Sequence, residues 1–264
     1  MKRKLGIISD CIINESPIVT LDRIKEIGFE TFFTGYIDIE TVSALKNKAD
    51  KLGLDFEFIH APFRGINAMW TSGMDYLPLY NAMKQTIDSA SACGVKTIIT
   101  HVSSGWTPPQ VCDMGFARYD ALVEYAMGKN VNLAFENLRK FGNLACLMDR
   151  YENVENVSFC YDCGHEHCYT AVVPFLDLYG KKISCTHIHD NHGRDWDNPL
   201  ADGDEHLLPF EGTVDYNVMM QKLNKVGYEG SLMLEVFNGK YSSLTADEFI
   251  KTAYDRIKKI STMG

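Results

Sequence analysis

Six residues able to bind a divalent cation stand at or just past the ends of short apolar runs: His60, His101, Glu136, Asp162, His187 and Glu235. Imidazole nitrogens and carboxylate oxygens are the donors that zinc, manganese and magnesium accept. A lone His or Glu in such a place is ordinarily a hydrogen-bonded cap or a solvated rim residue. Six separate runs ending this way are harder to explain without a ligand. Carboxylates that converge without a cation repel one another and resist ionisation, and a bound ion removes the conflict. Three further residues join the set: His165, three residues beyond Asp162, and the pair Asp204 and His206, which would project together from an extended loop.

Such a cluster needs a scaffold that brings many strand ends to one face. Eight β-rich runs are present: Leu5–Ser9, Thr31–Thr34, Asp55–Ile59, Val95–Thr100, Val131–Glu136, Val157–Asp162, Ile183–His187 and Ser231–Val236. Between them lie segments with a 3.6-residue period, beginning with Leu21, Ile24 and Ile27 and continuing through Val42–Leu52, Asn81–Cys93, Phe116–Lys129, Leu144–Tyr151, Ala171–Tyr179, Val218–Val226 and Ala246–Ile257. Many of these end on glycine, at Gly28, Gly53, Gly94, Gly180 and Gly227, as helices closed by a left-handed residue do. Strict βα alternation repeated eight times predicts an α/β fold, a (β/α)8 TIM barrel, as a single domain over residues 1–264. Its strand ends all open on one face, where active sites of this architecture lie. An open doubly wound sheet is the alternative, but no Gly-rich dinucleotide fingerprint follows an early strand. The two longest connections, Ala61–Tyr80 and Ile188–Thr213, follow strands three and seven and are expected to be functional.

Composition narrows the partners. The chain has 264 residues, 45% hydrophobic and 23% charged, with 26 Lys plus Arg against 35 Asp plus Glu and a net charge of −9. That balance gives no general attraction to nucleic acid or anionic membranes. No apolar run is long enough for a membrane span, and the first residues read as a strand rather than a signal peptide. Eight cysteines in a chain this long suggest free thiols and a cytoplasmic setting. A zinc knuckle at Cys160, Cys163, His165, His167 and Cys168 is disfavoured, because no second Cys-x2-Cys exists and Cys160 lies in a buried-type run. The assembly state is left open, with a homo-oligomer allowed.

In this order and spacing the residues resemble the xylose isomerase-like TIM-barrel superfamily, which includes sugar and sugar-phosphate isomerases and epimerases, inosose-metabolising enzymes and endonuclease IV. The resemblance runs from His60-Ala-Pro-Phe63 to Glu235-Val-Phe237. It is most specific in Tyr161-Asp-Cys-Gly-His165, His187-Ile-His-Asp-Asn191 and Asp204-Glu-His-Leu-Leu-Pro-Phe-Glu-Gly-Thr213. The epimerase branch implies one divalent ion (Zn, Mn or Mg) held by Glu136, Asp162, His187 and Glu235. The two glutamates would exchange protons next to a carbonyl, with a metal-stabilised enediolate between. His165 would hydrogen-bond a substrate oxygen, and His60, His101 and Arg194 would contact a sugar, sugar phosphate or polyol. Arg194 stands one place past the arginine expected in ketose 3-epimerases.

The nuclease branch implies up to three ions, with His60, His101, His165, Asp204 and His206 as added ligands and a zinc phosphodiesterase as the activity. Against that branch, the strand-end loops hold only scattered cations (Arg64, Arg139, Lys140, Arg194 and Lys240), and the run Asp195–Glu205 is acidic. Phe210 departs from the motif, which usually has glycine before Glu211-Gly212, and is expected to reshape the pocket floor or lid. Phe63, Trp70, Trp106 and Trp196 fall in strand-end loops, where they either stack on a sugar ring or pack the loops onto the barrel.

Overall fold

The β-branched and aromatic runs pair side by side because each is apolar on both faces and must be covered on both. In a computed structural model that describes residues 2–264, they form eight parallel strands: β1 (Leu5–Ile8), β2 (Thr31–Thr34), β3 (Asp55–His60), β4 (Thr97–Thr100), β5 (Asn132–Glu136), β6 (Val157–Asp162), β7 (Ile183–His187) and β8 (Leu232–Leu234). The spatial order is β7-β6-β5-β4-β3-β2-β1-β8, so sequence neighbours are sheet neighbours throughout. The circle closes between β7 and β8 through one bridge, Ile188 with Leu234. There the Ile188 N–H donates to Met233 O at 2.8 Å and the Glu235 N–H to Ile188 O at 3.1 Å. This is the (β/α)8 TIM barrel expected from the alternation, with its fewest rungs at that seam.

The surrounding helices are α1 (Pro17–Ile27), α2 (Ile39–Leu52), α3 (Leu77–Cys93), α4 (Asp113–Gly128), α5 (Phe141–Arg150), α6 (Cys163–Tyr169), α7 (Phe175–Tyr179), α8 (Tyr216–Lys225) and α9 (Ala246–Ile260). Their apolar stripes pack on the strands, as with Leu21 and Ile24 of α1 and Phe249, Ile250, Ala253 and Ile257 of α9, all fully buried. Gly53 closes α2 at φ +64°, where a side chain would be strained.

Several sequence expectations shift at their edges. Strand four begins at Thr97 rather than Val95, and strand eight ends at Leu234 rather than Val236, leaving Glu235 one residue beyond it. The helix expected over Ala171–Tyr179 is only Phe175–Tyr179, because Pro174 restricts the residue before it and holds the preceding segment out of the helix. Gly180 does not close that helix in the left-handed region: its φ is −57° and the chain runs on through a 3-10 turn, Gly180–Lys182. The short helix α6 was not anticipated. Asp162 nucleates it by accepting the His165 N–H at 2.6 Å on its own carboxylate.

Candidate metal centre

Parallel strands put every C-terminal end on one face, so residues far apart in sequence meet there. His60, Glu136, Asp162 and His187 are the last residues of β3, β5, β6 and β7; His101 and Glu235 come one residue after β4 and β8. In β5, alternation turns Asn132, Ala134 and Glu136 one way and Leu133 and Phe135 the other. Below the cluster lies an aromatic floor: Phe33 of β2 stacks on His187 at 5.0 Å and meets Phe58 of β3, tilted, at 4.8 Å.

Glu136 is the hub. It is fully buried, and one carboxylate oxygen lies 3.3 Å from His60 Nε2 and 3.1 Å from His101 Nε2. The other lies 3.0 Å from His187 Nδ1 and 3.3 Å from His165 Nδ1. His187 Nδ1 also faces Glu235 Oε2 at 3.3 Å. One donor atom from each of Glu136, Asp162, His187 and Glu235 lies within 4.8 Å of all the others, and His60, His101 and Glu136 form a second such group.

A third group is built by α6 and the β7–α8 connection: His165, His189, Asp204 and His206. His165 Nε2 lies 3.1 Å from Asp204 Oδ2, and His206 Nε2 lies 3.2 Å from Asp204 Oδ1. His206 holds φ at +48°, a left-handed conformation uncommon for a non-glycine residue. Its Nδ1 donates to the Glu235 carbonyl at 2.8 Å, which joins the loop to the strand-eight end. Asp190 orders the rest of that loop, accepting N–H bonds from Phe210 at 2.8 Å and Val214 at 3.1 Å.

Four carboxylates and six buried or half-buried histidines this close must share charge. Burial alone would raise Glu136, but His187 and His101 outweigh it and hold the carboxyl well below its usual range. Burial likewise opposes ionisation of Asp204, and His165 beside it reverses the sign. His187 and His206 move the other way, whereas burial pushes His101 down. Burial disfavours the imidazolium of His187, yet Glu235 and Glu136 push it up to about 10; Asp204 pushes His206 up to about 9 against the same burial. Without an ion, the carboxylates favour a proton on His187 and on His206. A divalent cation would replace those protons. Buried His189 Nδ1 and His187 Nε2 make no hydrogen bond, so donor capacity remains unspent. The oxygen and nitrogen donor set fits a zinc, manganese or magnesium ion.

Two contributors escaped the sequence reading. His189 lies two residues past His187 and shares its face; its Nε2 sits 3.2 Å from Asp162 Oδ1. Period-two alternation carried one step beyond the strand would have found it. Asn137 clamps β6, its amide donating to Asp162 O and accepting from Asp162 N–H, both at 2.8 Å, while its carbonyl lies 3.0 Å from His165 Nδ1.

Other candidates fall outside the cluster. Arg194 donates to the Tyr169 carbonyl at 2.6 Å, with its guanidinium over the rings of Trp106 and Trp196. Trp70 is buried and donates to Val102 O at 2.7 Å, so it packs its loop. Phe63 is 46% exposed and stacks on His101 at 4.1 Å, a free aromatic face at the mouth. Phe210 neither floors nor covers the site: its ring packs 5.2 Å from Tyr216, with Lys259 Nζ 4.3 Å over it, on the flank made by α8 and α9. Among the described residues no cysteine belongs to a metal-binding group, and all eight thiols are free.

Comparison with known proteins follows the same lines. A model of the xylose isomerase-like TIM barrel matches residues 21–260. An uncharacterised protein of Methanocaldococcus jannaschii is 22% identical over 254 residues, covering 88% of this chain and 83% of that one. An inosose isomerase of Bacillus velezensis is 26% identical over 149 residues, 53% of this chain, and the chain spans about half (51%) of that relative. The solved structure of an L-ribulose 3-epimerase superposes with a TM-score of 0.73 at 18% identity, over 98% of this chain and 94% of that one. No helix is long and apolar enough to cross a membrane among the described residues.

Proposed function

Because the chain belongs to the xylose isomerase-like TIM-barrel family, we propose that it is a metal-dependent isomerase or epimerase of a sugar, sugar phosphate or polyol. The observation that carries this reading is the pair of carboxylates, Glu136 and Glu235, converging on His187 at 3.0 and 3.3 Å from strands on different sides of the barrel. The partial match to an inosose isomerase supports the same chemistry.

Glu136, Asp162, His187 and Glu235 would hold the ion, which when bound supplies a Lewis acid that polarises the substrate carbonyl. Glu235, at 9% exposure, is the more open of the two carboxylates. It would take the proton from the carbon next to the carbonyl, leaving an enediolate, and Glu136 would serve the opposite direction. His165, between Glu136 at 3.3 Å and Asp204 at 3.1 Å, would donate to a substrate oxygen. His60 and His101, each 8% exposed, would line the entrance. A cytoplasmic setting is part of the same proposal.

Purified protein supplied with Mn2+ or Zn2+ and a panel of ketoses in D2O tests it. Deuterium should enter the carbon next to the carbonyl, and Glu136→Gln or Glu235→Gln should slow that entry by about 10²–10⁴-fold. Unchanged exchange in both variants would refute the mechanism.

A second reading has its own support: Glu136 belongs to two of the four donor groups, and the group of His165, His189, Asp204 and His206 lies alongside. These residues would hold up to three ions, which when bound would supply the Lewis acidity for phosphodiester hydrolysis. Three metals per chain, with nicking of abasic-site DNA by substoichiometric protein, would move this reading ahead of the first.

A further inference from the structure

Helix α6 carries His165 near its middle and has only seven residues, too few to hold their shape alone. Asp162 secures its start, accepting the His165 N–H at 2.6 Å. Its end is secured from outside. Tyr169, the last residue, stands one turn after His165 on the same helix face, and its ring stacks on the imidazole at 5.5 Å and 26°. The Arg139 guanidinium lies over the Tyr169 ring at 4.1 Å, and Trp106 meets it edge-on at 5.5 Å. The ring is buried, so these neighbours set its plane, and through the stack the plane of His165.

What grips Tyr169 comes from the β7–α8 connection. The chain leaves at Gly193, with φ +81°, and returns at Gly203, where a Cβ would fall 3.2 Å from the Gly193 carbonyl oxygen. Residues 194–202 therefore form a compact loop with touching ends. Its first residue, Arg194, donates to the Tyr169 carbonyl at 2.6 Å, a cation capping the last turn of α6. Its last, Asp202, accepts the Tyr169 hydroxyl and, at 2.7 Å, Arg139 Nη2. One loop thus holds Tyr169 by backbone and side chain at once. The same Asp202 oxygen accepts the Asp204 N–H at 3.3 Å, and Asp204 lies 3.1 Å from His165 Nε2. Between its ends the loop is bound mostly to itself: Asp195 accepts the Asp197 and Asn198 N–H groups at 2.9 Å, and Trp196 and Leu200 stand exposed. A loop seated at its ends can lift and settle as a unit.

Resting on the isomerase or epimerase reading, we propose that Tyr169 is a positioning residue for His165 and that the loop of residues 194–202 is the lock that sets it. Seated, the loop holds the Tyr169 ring against the imidazole and Asp204 beside it, so His165 keeps one orientation toward the substrate oxygen. Lifted, it releases the Tyr169 hydroxyl, the end of α6 and the Asp204 backbone together, and His165 loses that orientation. Turnover is thereby tied to the position of the loop. Such an effect falls on the rate more than on binding, because a small misplacement of a reacting group raises the barrier while the substrate keeps its other contacts.

The full chain, loaded with Zn2+ and carrying 13C in its histidine rings, gives the direct reading by NMR. The His165 ring, identified by its loss in His165→Gln, should give one sharp signal in the native chain. That signal should broaden or double in Asp202→Ala, in Tyr169→Ala and in a chain whose residues 194–202 are replaced by a short Gly-Ser linker. The Asp202 side chain is exposed, so its variant decides the question even where Tyr169→Ala fails to fold. Deuterium entry from D2O into a panel of ketoses is the second readout. In Asp202→Ala kcat should fall about 10–100-fold with KM held within about twofold, and Asp202→Glu should recover part of the loss. An unchanged His165 signal in Asp202→Ala and in the linker chain overturns the proposal, whatever turnover does. A raised KM with kcat unchanged also overturns it, since the loop would then only bind substrate. Undiminished deuterium entry in Asp202→Ala overturns the lock and leaves the isomerase standing. A loosened His165 in the variants, with no deuterium entry into any compound even in the native chain, keeps the positioning role and overturns the isomerase.

Discussion

At the scale of single residues, the candidate metal ligands are themselves held by neighbouring groups. His189 illustrates this. Its Nε2 spans both oxygens of Asp162, at 3.2 and 3.3 Å, and its ring lies 4.0 Å over His206. Gly164 makes the contact feasible, since a Cβ there would fall 2.0 Å from the His189 ring. Replacing His189 with Ala should therefore weaken metal binding by about 10–100-fold, measured by competition with a chelator of known affinity, and His189→Asn should restore part of it. Equal affinity in all three proteins would show that Asp162 needs no such support. The strand-end ligands were legible because a polar residue closing an apolar run stands out. His189 did not stand out, since it follows the run by two residues and resembles a loop position. Its role depends on Gly164, whose proximity only the folded chain reveals.

At the scale of elements, the barrel was written plainly in the alternation of apolar runs and helical stripes, while the pieces that complete the centre were not. Helix α6 has seven residues, too few to show a period, and its cap is a carboxylate that reads equally as a ligand. The β7–α8 connection is similar: its order comes from Asp190 accepting distant N–H groups. Phe210 lies in this connection with φ +74°, which accounts for the glycine usually found in the motif. The backbone there pays a strain of about 1–2 kcal/mol for carrying a side chain, and ring packing on Tyr216 and Lys259 offsets it. Phe210→Ala and Phe210→Gly both lose the ring, but only glycine relieves the backbone. Urea unfolding should thus find the glycine variant about 1 kcal/mol more stable than the alanine one; the reverse order would mean that the loop relaxes out of the left-handed region once the ring is gone.

At the scale of the whole molecule, the candidate ligands are distributed around nearly the full barrel, from β3 to β8, so an ion would tie together strands that the chain itself connects only through helices. The arrangement is least supported between β7 and β8, where one bridge closes the circle. His187 stands on one side of that seam and Glu235 on the other. Amide hydrogen exchange offers a direct test: adding Zn2+ or Mn2+ should slow exchange at Ile188 and Glu235 more than at the well-laddered amides of β5 and β6. Uniform slowing, or none, would mean the seam is already as firm as the rest. If the seam does tighten, the ion is a clasp as well as a reagent. A chain made during metal scarcity would then carry a loosened joint that proteases can find, and its abundance in the cell would follow the metal supply.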